Sequence, residues 1–166
     1  MESTAYRRIL LAVTGLSPQV VTETVYALAC HPNEPWIPHE IHLITTREGA
    51  ERARLALLSG EPGWFHRLRR DYSLPEIAFN TGHIHILSDA SGLPLDDIRT
   101  PTDNERAADQ ITDHLRRLTA DPGSEVHVSI AGGRKTMGYY LGYALSLFGR
   151  PQDRLSHVLV SEPFES

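Results

Sequence analysis

A chain of 166 residues, 40% of them hydrophobic and 22% charged, has the composition of an ordinary globular domain. At this length a compact fold buries roughly 70% of the surface that the unfolded chain exposes, so stability requires neither a disulfide framework nor a structural metal. Sixteen Lys and Arg against 21 Asp and Glu leave a formal charge of -5, which excludes a long nucleic acid drawn in by the overall field and requires any nucleotide to be held locally.

From Arg8 the run Ile-Leu-Leu-Ala-Val-Thr, closed by Gly15, predicts a first strand buried on both faces. Ser17 and Pro18 read as a helix cap and a first helical residue, and Val20, Val21, Thr24, Val25 and Leu28 continue with helical spacing. A proline-rich connection (Pro32, Pro35, Pro38) leads to a strand over 40–45 and a helix over 48–58. Pro62 opens a surface helix with Trp64, Phe65 and Leu68 on a narrow apolar face and Arg67, Arg69 and Arg70 elsewhere. A third strand covers 83–87, and the loop 88–101, with Gly92, Pro94 and Pro101, has a length usually kept for function. Thr102-Asp103-Asn104-Glu105 has the form of a capping box, followed by Ala107, Ala108, Ile111, Leu115 and Leu118 on one helical face. A strand over 125–130, the turn Ala131-Gly-Gly-Arg-Lys-Thr136, an apolar helix over 137–148 and a strand over 155–161 complete the chain. Strands alternating with helices predict an α/β fold: one Rossmann-like domain over 1–166, with a mostly parallel sheet flanked by helices on both faces.

Two turns stand where an open parallel sheet binds ligands, at the carboxyl ends of its strands. In Thr14-Gly15-Leu16-Ser17-Pro18-Gln19, two hydroxyls and an amide gather at a helix start, although Ser17 also reads simply as an N-cap. In the second, Gly132 and Gly133 precede Arg134 and Lys135 in a first helical turn, where the macrodipole disfavours each cation by several tenths of a kcal/mol. Two cations at that place suggest a phosphate ligand, against the plainer reading of solvated basic side chains after a flexible turn. Neither a P-loop nor Gly-x-Gly-x-x-Gly is present, so no nucleoside triphosphate loop or dinucleotide cofactor is expected. The last helix aligns Gly138, Gly142 and Ser146, while Tyr139, Leu141, Tyr143, Leu145 and Leu147 cover the rest; it reads as buried nearly all round, with a two-fold partner as one way to cover the small-residue face. Of nine histidines, His42, His85 and His127 fall inside strands, with His83 nearby; without acidic or thiol ligands at metal spacing they read as satisfied or interfacial, and no metal is expected. Cys30, the single cysteine, lies at a helix end among apolar residues, a poor place for a thiolate. No signal region precedes the first strand and no apolar run nears the roughly 20 residues of a membrane span, so a cytoplasmic protein without membrane contact is expected.

The stretches Leu10-Leu-Ala-Val-Thr-Gly-Leu-Ser-Pro-Gln-Val-Val-Thr-Glu-Thr-Val-Tyr-Ala-Leu28, Leu95-Asp-Asp-Ile-Arg-Thr-Pro101 and Ser129-Ile-Ala-Gly-Gly-Arg-Lys-Thr-Met137 together resemble the CARF domain, the CRISPR-associated Rossmann fold, over nearly the whole chain. The likeness is to the branch whose CARF domains precede an RNA-cutting HEPN domain. It implies a homodimer that binds cyclic oligoadenylate, the second messenger of type III CRISPR complexes, in the dimer cleft; some members also cut the ring and are called ring nucleases. By this resemblance Thr14, Gly15, Leu16, Ser17 and Gln19 contact ribose and phosphate, with Thr46 beside them. Ala131, Gly132 and Gly133 line the site, and Arg134, Lys135 and Thr136 hold the phosphate backbone. Asp97, Arg99 and Thr100, with Asn104 beyond, cover the adenines. Lys135, Arg134 and Ser17 would act in cutting by attack of a ribose 2′-OH on its own phosphorus, a reaction that needs no cofactor or metal. With the last predicted strand close to Ser166, no HEPN or other effector domain is expected; the Arg150 to His157 pair has HEPN spacing but enters a strand and reads as chance. The alternatives are a CARF sensor that binds the ring uncut, and a flavodoxin-like or mononucleotide-binding enzyme with a monomeric site, unrelated to CRISPR.

Overall fold

The computed structural model describes residues 5–156. Its elements run β1 (Arg7–Val13), α1 (Gln19–Ala29), β2 (Glu40–Thr45), α2 (Arg47–Ala53), α3 (Trp64–Asp71), β3 (Ile84–Ile86), α4 (Pro101–Thr119), β4 (Ser124–Ser129), α5 (Lys135–Phe148) and β5 (Arg154–Ser156); a π-helical turn, Arg54–Leu58, extends α2. All four strand pairs are parallel and the sheet order is β3-β2-β1-β4-β5. The alternation of β1 makes both faces: Ile9, Leu11 and Val13 enter a core with α4 and α5, while Leu10 and Ala12 enter another with α1, α2 and α3. A strand buried on both sides reads as a continuous apolar run, which is why β1 shows no polar alternation.

Connections leave β1 through α1 toward β2 on one face, and reach β4 from β3 through α4 on the other. The direction of winding therefore changes between β1 and β4, and the crevice opens beyond their carboxyl ends. Parallel register sets the two exits side by side, with Ala12 opposite Ser129 and Val13 opposite Ile44.

Several local expectations shift. Pro18, not Ser17, occupies the N-cap of α1, so the Ser17 side chain is exposed and caps nothing. The capping box of α4 is Thr100 with Asp103, two residues earlier than Thr102 with Glu105, because Pro101 fits the first helical turn, where no N–H is required. Arg67 does not point away from the apolar residues of α3; its guanidinium lies 5.0 Å from the Trp64 ring centre. Helix α5 begins at Lys135 and is not buried all round: Tyr139 is 67% and Tyr143 54% exposed, with Leu147 exposed beside them. Cys30 is exposed rather than set among apolar residues. β5 covers Arg154–Ser156; the rest of the predicted 155–161 strand, with His157, lies outside the described residues. Arg150 is tied to Asp153 at 2.9 Å and donates to the Asp121 carbonyl at 2.5 Å, which closes the turn between α5 and β5.

Candidate functional site

Both glycine turns meet at the crevice. A Cβ on Gly15 would lie 3.5 Å from the Gly133 Cα, so the turn after β1 touches the turn after β4. Gly133 has φ +80°, a left-handed conformation that favours glycine. Gly132 has no room for a side chain, since a Cβ would stand 2.8 Å from Val20 and 3.1 Å from the Val13 carbonyl. Gly49, at the start of α2, packs as closely: its Cβ would meet the Thr45 hydroxyl at 2.1 Å and the Gly15 carbonyl at 2.9 Å.

These turns enclose a cavity of about 450 Å³ whose lining includes Thr14, Gly15, Leu16, Ser17, Thr46, Arg99, Ala131, Gly132, Gly133 and Arg134. With Asp97, which also lines it, eleven of the residues predicted for the site are thus brought together. Asn104, Lys135 and Thr136 line a neighbouring hollow of about 710 Å³ that shares Arg99, Gly133 and Arg134 with the first. The Asn104 amide is already committed, donating to the Tyr140 hydroxyl at 2.7 Å. Gln19, the first residue of α1, lines neither space.

Three features suit the crevice to an anion. α1 and α5 both begin without a side-chain cap, leaving first-turn amides for an external acceptor. Thr14 is 1% exposed, lines the cavity and has a hydroxyl with no hydrogen-bond partner among the described residues; its backbone N–H, by contrast, donates to the Ile44 carbonyl and its carbonyl accepts from Thr45 Oγ1. Such an orphaned buried hydroxyl costs roughly 1–3 kcal/mol, which a ligand would relieve. Lys135 is exposed, with no carboxylate at ion-pair distance among the described residues.

Arg134 differs from Lys135. Its Nε donates to Asp97 Oδ1 at 2.8 Å and its Nη2 to Asp97 Oδ2 at 2.5 Å, a bidentate pair. The adverse helix position of this cation is therefore met inside the chain. The hydrogen bond from Arg134 holds the Asp97 carboxyl below its usual range, and Asp97 in turn raises the guanidinium. Composition and spacing missed Glu48 and Asp96, which also line the cavity. Glu48 follows the Thr46 cap at the carboxyl end of β2, a placement legible once that strand is drawn; Asp96 gave no signal apart from its neighbour Asp97.

Each strand histidine has a partner on at least one ring nitrogen, while His127 Nδ1 is buried with none among the described residues. His42 Nδ1 and His85 Nε2 share a hydrogen bond of 2.9 Å, His42 Nε2 meets Glu40 at 3.2 Å, and His127 Nε2 meets the Ser156 hydroxyl at 2.7 Å. Among the described residues no group of three or more His, Cys, Asp or Glu is arranged to hold a metal ion, and no helix is long and apolar enough to cross a membrane.

A family model described as CRISPR-associated protein NE0113 matches residues 17–166. No curated protein matches the chain.

Proposed function

Since this chain belongs to the CRISPR-associated NE0113 family, we propose that it is a CARF-type protein of type III CRISPR defence that binds cyclic oligoadenylate as a homodimer and cuts it slowly as a metal-independent ring nuclease. One observation carries this reading: two glycine turns at the β1–β4 switch point touch, and they bring uncapped helix starts, the orphaned Thr14 hydroxyl and Arg134 to one crevice, with Lys135 in the hollow that adjoins it.

The hollow along α5 supports the dimer. A space of about 660 Å³ runs from Ala131 through Lys135 onto Gly138, Tyr139, Gly142 and Tyr143, so the crevice continues onto the exposed tyrosine face. A second copy packed there would make one cleft from two sites, suited to a two-fold ligand such as cyclic tetra-adenylate.

In cutting, a ribose 2′-oxygen attacks its adjacent phosphorus, the P–O5′ bond breaks, and the 2′-OH proton ends on the departing 5′-oxygen. The products end in 2′,3′-cyclic phosphate and 5′-OH. Lys135 and Arg134 would balance charge on the phosphorane, and Ser17 or Thr14 would hold the attacking hydroxyl in line. None of these four is a strong general base, and base catalysis supplies roughly a hundred- to ten-thousandfold in rate, so turnover is slow. The pairing of Arg134 with Asp97 favours a second reading, a sensor that holds the ring uncut.

The test incubates purified protein, in excess EDTA, with cyclic tetra-adenylate and separately with cyclic hexa-adenylate, and follows products by chromatography with mass detection. Linear fragments ending in 2′,3′-cyclic phosphate are expected. Intact rings with tight binding would establish the sensor, and absence of binding to either ring would refute both readings.

A further inference from the structure

The loop before α4 crosses to both sides of the crevice. Leu95 is buried, its carbonyl accepts from the Arg47 N–H at 2.8 Å, and Asp96 takes the Arg47 side chain at 2.5 Å, which fixes the loop to the start of α2. One residue later Asp97 takes Arg134 at the start of α5 in the bidentate pair, with Arg99 Nε 3.9 Å from the same Oδ2 that Arg134 Nη2 holds. The segment 95–97 therefore spans from the β2 exit to the β4 exit, and its carboxylates line the cavity.

From this geometry we infer that Asp97 is a built-in competitor for the anion site: it occupies Arg134 when no ligand is bound, and a ligand phosphate must displace it and unfasten the loop. This inference rests on the crevice being an anion site. A carboxylate and a phosphate both offer two oxygens to the Nε–Nη2 edge of the guanidinium, so they exclude one another at that edge. Each anion that uses Arg134 then binds with its intrinsic affinity reduced by the fraction of molecules in which the pair is open. Lys135, with no such partner among the described residues, stays available for first contact. The consequence is a threshold: stray phosphate gains little by replacing one carboxylate with another anion, whereas a ligand that also reaches Lys135 and the Thr14 hydroxyl gains contacts the loop does not make.

The opposite role, Asp97 as a support that aims Arg134 at the ligand, predicts the opposite sign, so Asp97→Asn separates them. The substitution keeps the side-chain shape and removes its charge. In binding titrations with cyclic tetra-adenylate, the variant is expected to bind about three- to tenfold tighter than the unmodified protein; unchanged or weaker binding overturns the competitor role. Hydrogen exchange without ligand gives the second readout, with amides of 96–99 expected to exchange at least fivefold faster in the variant. Equal exchange rates overturn the fastening whether or not the ring binds. If neither protein binds the ring, the functional reading of the crevice fails, and exchange in the presence of tripolyphosphate replaces it: faster exchange at 96–99 in the unmodified protein upholds displacement of Asp97 by an anion, and no change refutes it.

Discussion

Arg134 and Lys135 are adjacent in sequence and electrostatically unlike, because among the described residues the first meets a carboxylate and the second does not. A cation at the first turn of α5 opposes the helix dipole, and Lys135 bears that cost with its charge free for a ligand. Charge-assisted contacts are worth about 1.5–3 kcal/mol where water is excluded and less at an exposed position, so Lys135→Ala is expected to weaken cyclic tetra-adenylate binding about tenfold in a titration, while relief of the adverse dipole raises the melting temperature by about 1 °C. Gly132 tests the opposite balance, structure rather than charge. A methyl there meets Val20 and the Val13 carbonyl inside van der Waals distance, and overpacking of this kind costs about 1–3 kcal/mol. Gly132→Ala should therefore lower the melting temperature by roughly 2–10 °C in calorimetry, as expected for a chain of this size.

At the scale of elements, the distinctive join is β2 to β3 beneath α4. His42, His85 and His114 pack together there, with the His85 ring 5.2 Å from His42 and 4.5 Å from His114. Burial pushes the His85 imidazole down to about 4, and burial lowers His42 and His114 as well; neighbouring His83, Arg7 and Arg117 act in the same direction, against Glu40 and Asp113. A folded-state value below the unfolded one, about 6.5, means that the unfolded chain binds more protons across this window. The stabilising effect of keeping these rings neutral is complete above about pH 6.5 and is lost as pH falls toward 4. The melting temperature should drop across that interval, and His85→Gln should flatten the drop; an unchanged slope in the variant would assign the acid sensitivity to other groups.

For the whole molecule, the open question of surface is the outer face of α5. Tyr139 and Tyr143 stack at 6.3 Å with an interplanar angle of 14°, and Leu147 and Leu155 are exposed nearby. A contiguous apolar face of this kind, joined by a hollow to the crevice, suits the second copy invoked above. Sedimentation should show a dimer, and Tyr143→Glu should convert it to a monomer that binds the ring more weakly. A monomeric unmodified protein would remove the shared cleft and leave each crevice to act alone.

The apolar run of β1, the repeated strand–helix alternation and the glycine-flanked turns were enough to determine an α/β fold with a mostly parallel sheet and the place of its crevice, because burial on both faces and chain reversal after each strand leave local marks in residue type; that every pair is parallel came from the structure. The helix starts were legible less accurately: Pro18 and Pro101 decide the caps of α1 and α4 through ring geometry, and the nearby hydroxyls of Ser17 and Thr102 drew the reading toward the wrong residue. Tertiary structure alone decided which charges remain free. Asp97 and Arg134 stand 37 positions apart, as do no residues a local pattern can connect, and only the return of the chain through α4 and β4 sets the carboxylate against the guanidinium. The exposure of Tyr139 and Tyr143 is likewise a property of the layers, since a helix apolar nearly all round does not by itself declare which side the sheet will cover.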